Sequence, residues 1–329
     1  MPQLVGKQIG STGYGLMGLA TRVPPISDEQ AIGAMRAAFE SGSTFWNAGD
    51  HYGTPERNTQ TLLAAYFKRY PEDVDDVVLS VKGAFDFSTM SPDGSPEGIK
   101  KSIDKILKDL EGTKKVDIFE CSRVDPKVPL EVTLKYLETE YVNKGIIGGI
   151  GLSEVGAATI RRAAKITKIV AVEVEVSLWA THVLENGVAA ACAELNIPIV
   201  AYSPIGQGML GGQFKSLDDL PEGDLRRYYP RFQPENFAIN LELVKQVENL
   251  AKEKGCTPAQ LAIAWVKNLS KKPSMPVFIP IPGATTEARV RENGVEVELT
   301  AEDLAAIDSV LDRFTVVGGR YPAGVPTDG

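Results

Sequence analysis

Short apolar runs alternate with amphipathic stretches along the whole chain, and this rhythm limits the folds open to it. The runs lie at 13–19, 44–47, 77–81, 116–121, 146–151, 169–176, 197–202 and 277–281. None alternates cleanly between apolar and polar positions, as expected of parallel strands covered on both faces. The stretches between them open with helix-start signals. Ser27-Asp28-Glu29-Gln30 reads as a capping box. Ser95-Pro96 gives a cap followed by proline in the first turn, and Thr257-Pro258-Ala259-Gln260 combines both devices. Strand-helix alternation of this kind builds either a doubly wound sheet or a barrel. Eight evenly spread pairs with no Pro/Gly/Ser-rich linker favour one domain over 1–329. The fold expected is α/β, a (β/α)8 TIM barrel with an N-terminal hairpin from the first dozen residues and long loops at the C-terminal face. Two segments break the rhythm: 206–240, and the tail after Leu311, too rich in Gly and Pro for a helix.

Composition sets the class of partner. With 43% hydrophobic and 24% charged residues the chain can bury a large core, and its net charge of −8 argues against nucleic acid or an anionic membrane surface. No run of about 18 apolar residues is present, so no membrane span is expected. The start MPQLVGKQIG lacks the basic and apolar regions of a secretory signal. Cys121, Cys192 and Cys256 are odd in number and scattered, which reads as reduced thiols in a cytoplasmic protein. Two histidines, His51 and His182, leave no metal site expected, although His182 and Glu185 have metal-like spacing. The acidic run at 71–76 reads as a solvated turn.

Two glycine patterns invite a dinucleotide-fold reading that their surroundings refuse. Gly13-Gly15-Gly18 and Gly206-Gly208-Gly211 both match G-x-G-x-x-G. That fingerprint needs a helix to open at once. Prolines in ATRVPP, after Gly18, block one, and GQFKSLDDLPEG after Gly211 is no regular helix. The second loop keeps a different use, since glycines let backbone N–H groups approach a phosphate.

In a βα barrel the chemistry lies where strands end. A lysine closing an apolar strand, Lys82, needs a polar cavity to face. A tyrosine beside it becomes more acidic, because the ammonium stabilises phenolate. Acid–base work near neutrality needs a fall of about three units from the usual 10, or roughly 4 kcal/mol. Tyr52 in FWNAGDHYG is the candidate partner, and taken singly each residue also reads as a plain loop tyrosine or a snorkelling lysine. Phe85, Phe87 and Trp179 sit in loops after strands and are candidates for an apolar pocket wall; Trp46 alternates with Asn47 and should face the helices.

These motifs together resemble the aldo-keto reductases over essentially the full length. The resemblance rests on Tyr52-Gly53, Lys82, DIFECSRVDP, GIGLSE, AYSPIGQGMLGG, PRFQPEN and IPIPGATTEARVREN, and is greatest to the fungal pyridoxal reductases. It implies NADP(H) as cofactor and reduction of a small carbonyl compound, with pyridoxal favoured, other aryl aldehydes or ketones as alternatives, and a cofactor-binding regulatory subunit as a further one. A monomer or weak homo-oligomer is expected. By resemblance Tyr52 is the proton donor and Lys82 lowers its pKa. Tyr202, with Ser203 and Pro204, packs on the nicotinamide, and Ser153 contacts its carboxamide. Gly206, Gly208 and Gly211 hold the pyrophosphate. Gly283, Ala284, Thr285 and Arg289 receive the adenosine 2′-phosphate, with Glu292 and Asn293 at the adenine. An arginine one turn inside a helix start suits an extra phosphate.

Four positions depart from the family pattern. Asn47 stands where an aspartate pairs with the lysine, and Ser122 where a histidine binds the carbonyl oxygen. Glu154 replaces an asparagine and Glu173 a glutamine at the carboxamide. Loss of the aspartate implies a barer positive charge on Lys82. Ser122 keeps one donor for the substrate oxygen, with Arg123 adjacent, and His51 can line the pocket or relay a proton. Arg226, Arg227, Tyr228, Tyr229 and Arg231 read as a flap over the cofactor.

Overall fold

The computed structural model describes residues 1–86, 88–212 and 214–322. Phe87, one of the expected pocket aromatics, lies outside the described residues. The chain opens with an antiparallel hairpin, β1 (Gln3–Leu4) and β2 (Lys7–Gln8). Eight strands then form one parallel sheet in the spatial order β3 (Tyr14–Gly15), β4 (Phe45–Gly49), β5 (Val78–Gly83), β8 (Val116–Cys121), β9 (Ile147–Ser153), β10 (Ile169–Glu175), β11 (Ile199–Tyr202) and β12 (Phe278–Pro280). A small hairpin, β6 (Phe85–Asp86) with β7 (Ser91–Pro92), follows β5.

The sheet closes on itself. Gly13 N–H donates to the Pro280 carbonyl at 2.8 Å, Gly15 N–H to that of Pro282 at 3.3 Å, and Gly15 bridges Gly283 in parallel. Closure explains the first glycine pattern: a Cβ at Gly15 would stand 2.9 Å from the Ile281 carbonyl oxygen, so a side chain here would force the last strand off the first. After it comes a short helix, α1 (Met17–Thr21), where prolines were expected to block one. It escapes that block by ending before Pro24, and Gly18 sits inside it, not at its start.

Helices α2 (Asp28–Glu40), α3 (Thr59–Arg69), α4 (Pro96–Asp109), α5 (Leu130–Leu137), α6 (Ala157–Ala164), α7 (Val188–Glu194), α8 (Pro234–Lys254) and α9 (Pro258–Leu269) surround the strands, with α10 (Glu287–Gly294) and α11 (Ala301–Leu311) after β12. Ser27 and Ser95 accept backbone N–H bonds from Gln30 and Gly98, and Thr257 and Gln260 cap reciprocally; at Ser27 the expected reciprocal bond does not form, because the Gln30 side-chain amide donates to the Thr285 carbonyl instead. The 206–240 excursion is less irregular than expected, because α8 begins at Pro234. Before it the chain makes short 3-10 turns at Gly206–Gly211, Leu217–Asp219, Leu225–Tyr228 and Pro230–Phe232.

Two apolar layers result. Between strands and helices lies the main core, where fully buried Trp46 meets Tyr66 edge-on at 5.0 Å and Phe67 at 5.8 Å. Inside the barrel, Phe45, Val78, Ile118, Ala171, Val200 and Ile279, each near the start of its strand, pack with Leu4 and Ile9. The hairpin thus corks the barrel's bottom, as expected. The run at 71–76 is not merely a solvated turn: Asp73 is 2% exposed and accepts from Arg36 at 2.8 Å and from the Tyr66 hydroxyl. Burial of its carboxylate is offset by that guanidinium and phenol.

Candidate active site

Above the apolar floor the inward-facing positions turn polar. Strand periodicity puts Asn47 of β4, Ser80 and Lys82 of β5, Glu120 of β8 and Glu173 of β10 inside the barrel, all at most 6% exposed. Lys82 Nζ donates to Asn47 Oδ1 at 2.7 Å and to Glu173 Oε1 at 2.6 Å. Asn47 Nδ2 donates to Glu173 Oε2 at 2.6 Å and lies 3.4 Å from Glu120 Oε1, which also accepts from Ser80 Oγ at 3.2 Å.

Tyr52 folds back over this network. The Lys82 ammonium lies 5.5 Å from the centre of the Tyr52 ring. The phenol's pKa lies above its usual value, not below it as expected: burial raises it most, the Lys82 charge and hydrogen bond only partly pull it back, and the Glu173 charge raises it further. Burial opposes the charge on Lys82, yet the charge and hydrogen bond of Glu173, together with the Tyr52 and Glu120 charges, outweigh it and raise the ammonium's pKa. Burial, then the Glu173 charge, lifts Glu120 well above the usual carboxylate range. The barer ammonium expected from Asn47 is therefore corrected: the carboxylate is present, supplied from β10. Both oxygens of Glu173, expected to take the carboxamide NH2, are engaged by Lys82 and Asn47.

Ser122, where β8 ends, is 5% exposed, its N–H fixed to the Gly83 carbonyl at 2.8 Å. Its hydroxyl is buried without a hydrogen-bond partner among the described residues, which leaves a donor unspent. Arg123 donates to the Ser122 carbonyl at 2.6 Å and sits 5.4 Å from the Tyr321 ring. His51 packs edge-on to Tyr52 at 4.6 Å, contacts Asp50 at 3.1 Å and lies 6.4 Å from Phe85. Trp179 is 3% exposed, packed 5.6 Å from Phe232 and against Gly206, where an added Cβ would meet it at 2.6 Å; it supports the loop from beneath instead of lining an open wall.

The ends of β9, β10 and β11 carry a second charged group. Glu154 and Glu175, both buried, are gripped by Arg320 of the tail, with contacts of 2.7 Å to Glu154 Oε2 and 3.1 Å to Glu175 Oε2. Glu154 also accepts from the Tyr202 hydroxyl at 2.9 Å, and the Tyr202 and Tyr321 hydroxyls are bonded to each other. Burial raises Glu154, but Arg320 outweighs it and leaves the carboxyl low. Glu175 stays high, because burial exceeds the pull of Arg231 and Arg320. Arg231 anchors the neighbouring turn by donating to the Trp179 carbonyl at 2.8 Å. Sequence reasoning passed over Glu120, Glu175, Arg320 and Tyr321. The strand periodicity that placed Asn47 also placed Glu120 and Glu175 inward, whereas nothing local announced the tail's destination.

Backbone able to face an anion follows β11 directly. Ser203, Gly206, Gln207 and Gly208 have φ of 49°, 56°, 55° and 96°, and the loop continues through Pro204 to Gly211. Arg226 donates to the Gln207 carbonyl at 2.8 Å and lies over the Phe214 ring at 4.5 Å. At the far end Tyr14 donates to the Ala284 carbonyl at 2.6 Å and Gln30 to that of Thr285 at 2.7 Å, fixing the segment from Gly283 into α10. Arg289 lies on that helix; the Glu292 carbonyl accepts from Gln260 at 3.2 Å and Asn293 is buried. Burial, then the charge of Arg226, lowers the pKa of Arg22, with Arg289 adding to the effect. Arg226 and Arg289 thus lie close enough to Arg22 to repel it, with Asp224 pairing Arg226 at 2.7 Å, and cations gathered in this way suit a phosphate-bearing ligand. Among the described residues no cluster of three metal-ligating side chains occurs, and no helix is long and apolar enough to cross a membrane.

A closed eight-stranded barrel with a buried Tyr–Lys pair at its C-terminal mouth now has its counterpart among known proteins. The sequence model of the Aldo/keto reductase family matches residues 12–312, and the chain belongs to that family. It is 40% identical over 330 residues to a probable pyridoxal reductase 2 of Schizosaccharomyces pombe, covering 98% of this chain and 97% of the relative. It is 36% identical to an NADP(+) aldo-keto reductase of the same yeast, over 96% of this chain and 92% of that one. The fold matches a glycerol dehydrogenase from Gluconobacter oxydans with a TM-score of 0.80, 19% identity and 96% of both chains covered. The resemblance read from the motifs, and the fold it implied, are borne out.

Proposed function

We propose that this protein uses NADPH to reduce a small aldehyde, with pyridoxal as the favoured substrate and pyridoxine as product. The observation that carries the reading is the buried Tyr52–Lys82 pair beside an unspent Ser122 hydroxyl. The hydride for the carbonyl carbon comes from bound NADPH. Tyr52 gives its phenolic proton to the carbonyl oxygen, and Lys82 stabilises the phenolate left behind until solvent returns the proton. Ser122 donates a hydrogen bond to the same oxygen as charge builds there. The Gly206–Gly211 loop and Arg226 would hold the pyrophosphate, and Arg289 with Arg22 the 2′-phosphate, which supports NADPH over NADH. The pyridoxal reductase name of the relative at 40% identity supports the choice of substrate.

The test is loss of NADPH absorbance with pyridoxal against a panel of benzaldehydes, sugar aldehydes and ketones. Turnover highest with pyridoxal is expected. Tight NADPH binding with no aldehyde turned over would overturn the reading and favour a cofactor-sensing regulator.

A further inference from the structure

Glu173 holds a carboxylate where a buried barrel interior has no general use for one, and its partners say what it is for. It stands on β10, while Lys82 and Asn47 stand on β5 and β4, so its side chain reaches across the barrel. Its two oxygens each take one bond, from the ammonium at 2.6 Å and from the Asn47 amide at 2.6 Å. It is 3% exposed and Lys82 6% exposed, so neither charge is screened by water. A buried ion pair is weak evidence for stability, since desolvation offsets most of its attraction. The pair is better accounted for by what the ammonium faces on its other side, the Tyr52 ring.

We propose that Glu173 is a positioning residue for Tyr52: it aims the Lys82 ammonium and balances its charge, so that the phenol stays loaded with the proton that reduction consumes. An ammonium alone would pull the phenol toward phenolate, which cannot protonate a carbonyl. An ammonium tied to a carboxylate still stabilises phenolate once it forms, yet leaves the resting phenol intact. Charge bookkeeping agrees. Glu120 lies against Glu173 as a hydrogen-bonding neighbour, held high by burial and by that charge. That direction favours the neutral acid, which would leave Lys82 and Glu173 as a balanced pair. Asn47 Oδ1 is 2.7 Å from the ammonium, so a carboxylate at position 47 would serve the same ammonium from β4.

This inference rests on the reductase reading for its kinetic half only. The other half is the tyrosinate absorbance of Tyr52, taken as protein minus its Tyr52→Phe variant across pH, which needs no substrate or cofactor. Glu173→Gln, alone and with Glu120→Gln to stop that acid ionising in its place, should move the Tyr52 midpoint down by about one to two units. The basic limb of kcat/KM for aldehyde reduction should move down with it. Glu173→Gln/Asn47→Asp should return both toward the starting values. A Tyr52 midpoint unmoved in both backgrounds, or moved and not returned by the relocated carboxylate, overturns the proposal. Activity lost evenly at every pH with the midpoint fixed would mark Glu173 as merely structural. If no aldehyde is turned over, the absorbance titration still decides.

Discussion

Arg320 Nη2 donates to Glu154 Oε2 at 2.7 Å, which pins the tail to the end of β9 beside Tyr202. Its other nitrogen reaches Glu175 at 3.1 Å. Removing the guanidinium leaves two buried carboxyls facing each other. Breaking one side of a buried pair costs about 3 kcal/mol. Arg320→Ala should lower the denaturant midpoint accordingly, with m unchanged. It should also alter KM for cofactor more than Tyr52 chemistry, read as NADPH affinity against single-turnover rate.

Tyr52→Phe removes the acid and its hydrogen bond with Lys82, and leaves the bonds among Lys82, Asn47 and Glu173 in place. A positioned general acid is worth about 10²–10⁴-fold. Aldehyde reduction should fall within that range while NADPH affinity, measured by fluorescence quenching, stays within about twofold.

Ser122→Ala removes a buried hydroxyl that has no hydrogen-bond partner among the described residues. The loss should appear in kcat, by roughly tenfold to a hundredfold, below the range for a well-aligned oxyanion donor. Steady-state kinetics with one aldehyde at saturating NADPH reads it; an unchanged kcat would detach Ser122 from the substrate oxygen.

Arg289→Leu tests the phosphate groove. A charge-assisted contact to phosphate is worth about 1.5–3 kcal/mol, so KM for NADPH should rise by about ten- to a hundredfold and that for NADH hardly at all.

His182 supplies a pH signature. Burial, then the neighbouring Arg320 charge, pushes its imidazole down to about 4. The folded state therefore prefers the neutral ring, while the unfolded chain protonates it near the usual 6.5. Stability from this residue is full above about pH 6.5 and is lost as pH falls toward about 4, because the unfolded state then binds the extra proton. After discounting for partial exposure, about 1 kcal/mol is at stake. His182→Gln should flatten that part of the unfolding free energy against pH.

Sequence periodicity made the barrel legible because a strand covered on both faces can only be a near-continuous apolar run, and all eight were found within a few residues. The bottom hairpin followed from the same logic. Leu16–Leu19 misled, since an apolar run of that length does not distinguish a strand end from the short helix α1. At the site, Tyr52 and Lys82 were legible because each residue type is costly in its setting without a partner. The pairing of Lys82 with Glu173 was not, because it joins strands whose separation in sequence says nothing of their facing one another across a barrel. The tail was opaque for a related reason: Arg320 and Tyr321 have no periodicity, and their place is fixed by carboxylates and a phenol from three other strands.

Leu4 and Ile9, packed with residues near the starts of six strands, fill the barrel's base. On the proposed reading, nucleotide, aldehyde, alcohol and the proton returning to Tyr52 would all share the opposite rim. Whichever molecule lay deeper would then have to arrive earlier and depart later, an orderly queue set by plumbing at the far end of the fold from any reacting atom.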